Sequence, residues 1–188
     1  KHAVLGNHDL AALENYGTEY FNEAARTAIE WTQRVLDEES RIWLNSLSYE
    51  LRLPEFLMVH GAPVNYFEYI LDKRAAARAF QRTDAPLIFV GHTHIAQYWV
   101  REPDGTVGHK HMQSGGELTL EAGKRYIVDV GSVGQPRDLN PEASLVFFEP
   151  ERAHVRWVRY EYPIAAVQAK IRDAGLPEYL ADRLSAGR

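Results

Sequence analysis

Hydrophobic and polar positions along this chain fall into blocks whose period changes from helical to extended and back. Over residues 23–36, Ala25, Ala28, Ile29, Thr32, Val35 and Leu36 recur at three- and four-residue spacing, which makes one helix face apolar, and Asn22 stands at its N-cap. A second, shorter helix is expected over 39–47. Residues 49–53 and 56–59 read as strands divided by Pro54, and the later one delivers His60 and Gly61 at its end. Asp72 is placed to cap a helix over 73–82 that stops before Pro86. Leu87-Ile88-Phe89-Val90 has no polar position, the mark of a strand covered on both faces, and it runs into Gly91-His92-Thr93-His94. The first apolar stretch, Ala3-Val4-Leu5, likewise opens into Gly6-Asn7-His8-Asp9.

Between 97 and 160 the pattern turns to short extended segments punctuated by Pro103-Asp104-Gly105, Gly115-Gly116, Ala122-Gly123 and Pro136, which predicts hairpins in an antiparallel sheet. The rest is helical: Ile164, Val167 and Ile171 share a face behind Pro163, Gly175 stops that helix, and Pro177 starts another ending near Ser185. No repeat, low-complexity tract or linker interrupts the chain, so one α/β domain over residues 1–188 is expected. A natural domain seldom starts in mid-strand, as this one does at Ala3, and the expectation is that an N-terminal piece of it lies upstream of Lys1.

Composition narrows the chemistry. The 188 residues are 45% hydrophobic and 25% charged, enough for a real core. The net charge of -5 leaves no extended nucleic-acid surface, so any phosphate recognition is local. With no cysteine, metal ligands are restricted to His, Asp, Glu and Asn. No apolar run approaches the roughly 20 residues of a membrane helix. A soluble, cytoplasmic protein without a membrane partner is the expectation, with its oligomeric state open.

Asn7 and His8, His60, and His92 and His94 share one setting. Each follows the C-terminal end of an apolar strand, where open α/β sheets place their ligand sites. Imidazole nitrogen and amide oxygen suit Mn, Fe or Zn, and loops from neighbouring strands can bring them to one point. A lone His-x-His says little, because 8 histidines in 188 residues give about 0.3 such pairs by chance. The second pair, His109 and His111, lacks the strand-end setting and reads as a solvated strand face. Gly6-Asn7-His8-Asp9, Val59-His60-Gly61 and Gly91-His92-Thr93-His94, in that order, resemble the last three motifs of the calcineurin-like metallophosphoesterases. Gly131-Ser132-Val133-Gly134-Gln135-Pro136-Arg137 resembles a loop of that family's bacterial branch of small phosphodiesterases and dinucleotide-polyphosphate hydrolases.

The resemblance implies an α/β fold, a β-sandwich flanked by helices in four layers (αββα), and two divalent metal ions as cofactors. It implies that Asn7, His60 and His92 bind one ion and His94 the other, and that His8 donates a proton to the leaving oxygen. Two upstream motifs of the family, Asp-x-His and Gly-Asp-x-x-Asp, do not occur in the chain. Charge points to the same gap, since two dications face only neutral donors in Asn7, His60, His92 and His94. The missing carboxylates are expected on two βα units, roughly 50 to 60 residues at about 30 per βαβ unit, beside Ala3.

Other residues carry two readings. Asp9 either holds the His8 imidazole in one tautomer or caps a helix over 10–13. The loop 131–137 either receives a substrate phosphate, through backbone N–H groups such as that of Gly134 and the guanidinium of Arg137, or is a tight connection between strands. Arg74, Arg78 and Arg82 read as a solvated helix face, and Tyr66, Phe67 and Tyr69 as core aromatics or a stacking rim. The function expected is metal-dependent hydrolysis of a small phosphoester or nucleotide substrate. A Ser/Thr-type protein phosphatase of the same fold and a catalytically silent binding module are the alternatives.

Overall fold

A computed structural model describes residues 2–188. Three helices come first: α1 (Asn7–Glu14), α2 (Glu23–Val35) and α3 (Glu38–Asn45). The strands β1 (Glu50–Arg52) and β2 (Leu57–Val59), the helix α4 (Lys73–Arg82) and β3 (Leu87–Val90) follow. Then come β4 (Ala96–Arg101), β5 (Val107–His111), β6 (Gly116–Thr119), β7 (Arg125–Val130), β8 (Ala143–Glu149) and β9 (His154–Tyr160), and the chain closes with α5 (Ile164–Asp173) and α6 (Glu178–Ala186). Among the described residues no helix is long and apolar enough to cross a membrane.

Six strands form one sheet in the order β1-β2-β3-β7-β4-β5, and three form a second in the order β6-β9-β8. The centre of the larger sheet is parallel, β2 beside β3 and β3 beside β7, and its remaining pairs are antiparallel. Parallel neighbours end on the same rim, so the loops after β2, β3 and β7 emerge side by side.

The sheets pack face to face, and the alternation along each strand decides which core a side chain enters. Ile88 and Val90 of β3, with Leu57, Val59 and Ile127, turn toward Ala75, Ala76, Ala79 and Phe80 of α4. Leu87 and Phe89, with Tyr126 and Val128, turn the other way, against Val155 and Trp157 of the small sheet. All four residues of β3 are buried, as an all-apolar strand requires. Each such side chain contributes about 1.5–3 kcal/mol by leaving water. The sandwich flanked by helices thus stands as expected.

Two local expectations are corrected. The region 97–160 is not one antiparallel sheet: Pro103-Asp104-Gly105 does turn β4 into β5, but Gly115-Gly116 and Ala122-Gly123 carry the chain out of the large sheet to β6 and back to β7. Strand partners are chosen by non-local packing, which a run of turn residues does not encode. Ala3 to Leu5 is not a strand of either sheet. Val4 bridges Ser48, the Leu5 N–H donates to the Ser48 carbonyl at 2.9 Å, and α1 begins at Asn7.

Candidate active site

β2 and β3 lie side by side, and the Gly91 N–H donates to the His60 carbonyl at 2.9 Å, so the two histidine-bearing ends are stitched together. His60 Nε2 stands 3.0 Å from His92 Nδ1 and 3.0 Å from Asn7 Oδ1. Directly after His60 the chain doubles back under itself. A Cβ on Gly61 would fall 2.6 Å from the Glu68 carbonyl oxygen, so glycine alone fits that approach. The turn delivers Tyr69, whose ring stacks on His92 with centroids 3.8 Å apart.

His92 and His94 both hold left-handed backbone, φ 65° and 62°. Such conformations cost of order 1–3 kcal/mol each and need anchoring from their surroundings. Thr93, buried between them, is the anchor: its hydroxyl donates to Asp129 Oδ2 and accepts from the Ile95 N–H at 3.0 Å. Asp129 is buried on β7, and its Oδ1 accepts from the Gly131 N–H at 3.2 Å. Burial pushes this carboxyl well above the ordinary aspartate range, against the pull of the Thr93 and Gly131 hydrogen bonds.

The loop 131–137 folds back onto His94. His94 Nδ1 faces the Gln135 carbonyl at 2.7 Å, and the Arg137 N–H donates to the His94 carbonyl at 3.0 Å. A carbonyl only accepts, so Nδ1 carries the proton and Nε2 is left with its lone pair. Gln135 Oε1 accepts from Arg137 Nε at 3.1 Å and Nη2 at 2.8 Å, which aims the guanidinium. The expected backbone cradle is not free. The Gly134 and Gln135 N–H groups both donate to Ser132 Oγ, at 3.2 and 2.9 Å, so both are engaged within the loop, and Arg137 is the loop's cationic group in the cleft.

Of the two readings of Asp9, the geometry shows the contact at the helix start. Asp9 occupies the third position of α1 and its Oδ2 accepts from the Gly6 N–H at 2.8 Å, closing the helix start rather than holding the His8 ring. His8 itself faces the cleft, its ring 4.8 Å from that of Phe21. Its ring is open to the cleft yet crowded by the walls. That crowding and the charge of Arg137 lower its pKa, while Asp9 raises it.

Burial also lowers the other three imidazoles, His60 and His94 to about 4 and His92 to about 3. Asp9 opposes the shift at His60, Arg137 adds to it at His94, and the His60 charge adds to it at His92. All three are neutral at pH 7, the form that ligates metals. Two donors about 2.1 Å from a shared ion and at right angles stand about 3.0 Å apart, the separation His60 keeps from both Asn7 and His92. The donor set therefore fits a divalent cation in position and in kind. It does not fit in charge, because Asn7, His60, His92 and His94 are all neutral donors; among the described residues no three His, Cys, Asp or Glu side chains group to hold an ion by themselves.

These residues line one cleft of about 670 Å³, together with Arg137. His109 and His111 stay outside it, on β5, where His109 stacks on Trp99 at 3.8 Å and its Nε2 lies 2.8 Å from Gln97 Oε1. Of the arginines on α4, Arg78 pairs with Glu68 on the outer surface. Tyr66 stacks on Tyr49, and only Tyr69 of the aromatic trio enters the cleft. Sequence reasoning missed Gln135, the Thr93–Asp129 anchor and the far wall of the cleft, built by α5 and α6. Gln135 lay within a recognised motif, but the wall has no motif.

Comparison with known proteins finds a family model, a curated relative and solved structures that resemble this chain. Residues 1–152 match the family model described as calcineurin-like phosphoesterase superfamily domain. An uncharacterized protein of Methanocaldococcus jannaschii, MJ0912, is 33% identical over 192 residues, covering 99% of this chain and 75% of that protein. The crystal structure of a metallophosphoesterase from Sphaerobacter thermophilus superposes with a TM-score of 0.87 at 43% identity, over 98% of this chain and 76% of that one. The hypothetical protein PH1004 from Pyrococcus horikoshii OT3, at 17% identity, shares the fold with a TM-score of 0.75, over 100% of this chain and 73% of that one.

Proposed function

Because the chain belongs to the calcineurin-like phosphoesterase superfamily, we propose that its cleft hydrolyses a small phosphodiester or a nucleotide polyphosphate, with His8 as proton donor. The observation that carries this is the meeting of Asn7, His60 and His92 at 3.0 Å, with His8 next to Asn7 in the chain. Asn7, His60 and His92 would hold one divalent ion and His94, through the nitrogen that Gln135 leaves free, a second. When bound, Mn, Fe or Zn supplies a Lewis acid for the phosphoryl oxygen and acidifies water enough for attack near neutral pH.

The chain's own residues account for the rest. Arg137, aimed by Gln135, binds the phosphate. His8 protonates the departing oxygen, and an anionic phosphate on Arg137 offsets that arginine's part in lowering the His8 pKa, burial being the larger part. Because the donors are neutral, the centre draws its remaining anionic ligands from the substrate or from carboxylates beyond these residues.

In the Mn²⁺-loaded enzyme, His8→Ala should slow hydrolysis of an ester with a poor leaving group by about 10²–10⁴. It should slow bis(p-nitrophenyl) phosphate, whose leaving group needs no proton, far less. Equal losses for both substrates would remove His8 from the role.

A further inference from the structure

The cleft has two unlike sides. The polar floor belongs to the segment that matches the family domain, but α5 and α6 lie beyond residue 152, where that match ends. From this hairpin Val167, Ile171 and Leu180 line the cleft, and Phe21, just before α2, and Ala25 in its first turn line it as well. The hairpin is seated rather than loosely attached. Ala181 and Leu184 are buried, and Gln168 Nε2 donates to the Ala181 carbonyl at 3.0 Å. The Leu139 N–H donates to the Gly187 carbonyl at 2.9 Å, only two residues past Arg137. Gly187 has φ 61°, and a Cβ there would fall 2.7 Å from the Asn140 backbone, so the two segments approach as closely as glycine allows.

That seating brings Arg183 of α6 into the same cleft as Arg137. Arg183 lies over the Tyr179 ring, 5.1 Å from its centroid, and its Nε donates to the Arg188 carbonyl at 2.5 Å. Burial, and next the charge of Arg137, lower its pKa, so the two guanidiniums feel one another. Among the described residues neither has a side-chain carboxylate within 4.0 Å. Two cations sharing a cleft without a counter-charge repel each other, and an anion between or beside them relieves that repulsion. The surface around Arg183 is apolar and aromatic, which suits a flat body far better than a hydrated one.

We propose that the α5–α6 hairpin selects the leaving group: Arg183 binds a second anionic group of the substrate, and Tyr179 with the apolar wall covers a flat aromatic body. Arg137 serves the phosphate that is cleaved. The substrate class is a phosphoester of an aromatic-bearing alcohol or phosphate that carries a second anion, either a further phosphate or a carboxylate. The assignment of the cleaved phosphate to Arg137 rests on the phosphoester reading of the floor.

The test is calorimetric binding to the whole chain in metal-free buffer, where turnover does not intrude. The probes are ADP, 4-carboxyphenyl phosphate, phenyl phosphate and pyrophosphate. ADP, 4-carboxyphenyl phosphate or both should bind about tenfold more tightly than phenyl phosphate, the worth of one charge-assisted hydrogen bond. Which of the two shows the preference identifies the second anion. In Arg183→Gln that preference should fall to about unity, and Arg183→Lys, which keeps the charge, should recover part of it. Tyr179→Ala should cut the preference for ADP over pyrophosphate.

No preference in the wild type, or one that survives Arg183→Gln, overturns the proposal and leaves Arg183 as a helix-surface cation over Tyr179. Hydrolysis of bis(p-nitrophenyl) phosphate with Mn²⁺ reports the floor separately. Hydrolysis with flat selectivity would sink the selector and keep the phosphoesterase reading, and selective binding without hydrolysis in the enzyme complete in its carboxylate ligands would do the reverse.

Discussion

The residue with the widest structural reach is Thr93, which touches no ligand group of the floor yet joins the strained His92-x-His94 turn to Asp129. Thr93→Val keeps the volume and removes the donor, so it should destabilise the fold by about 1–3 kcal/mol at neutral pH. The deficit should depend on pH. Asp129 titrates in the folded protein above its unfolded value, so its contribution is full below the unfolded pKa of about 4 and is lost as pH rises through the raised one. Thr93 favours the ionised form, so its loss raises Asp129 further and the deficit grows as pH rises through the range in which the native carboxyl ionises. Urea denaturation across a pH series from 4 upward checks this. The histidines themselves were legible because they end apolar strands. Their left-handed backbone was not, since its anchor runs from Thr93 to Asp129 on a strand far along the chain.

At the scale of elements, α4 shows what local sequence can and cannot announce. Its start was readable, because Asp72 Oδ1 accepts from the Ala75 N–H at 2.8 Å across one turn. Its end is closed by a residue on another element. Arg125 of β7 donates to the carbonyls of Phe80, Thr83 and Ala85, satisfying groups that a helix terminus leaves bare. Arg125→Ala should therefore cost about 1.5–3 kcal/mol, the range for hydrogen bonds to a charged group. Asp72→Ala should cost less, with both read from urea midpoints. The same division explains the strands. Their existence was written in alternation and apolar runs, but their sorting into two sheets was not, because Gly115-Gly116 looks the same whether it turns a hairpin or leaves the sheet.

For the whole molecule, the proposed metal centre would tie stability to metal. Mn²⁺ at about a hundred times its dissociation constant should stabilise the fold by about 2.7 kcal/mol, since an ion that binds only the native state shifts unfolding by mass action. His60→Ala should abolish the rise in Tm, and differential scanning fluorimetry with and without Mn²⁺ measures it. A protein whose Tm ignores Mn²⁺ would lose its claim to a metal centre.

The chain's route through the two sheets has a consequence for how it folds. It leaves the large sheet after β5, returns at β7, and leaves again for β8, so neither sheet is a contiguous stretch of sequence. Neither can therefore form as an independent unit while the other waits, although each side of the large sheet has its own core. Unfolding should be one cooperative transition seen alike by tryptophan fluorescence and far-ultraviolet circular dichroism. Refolding should be slow, in the range of milliseconds to seconds, because distant strands must meet before any of them is rewarded.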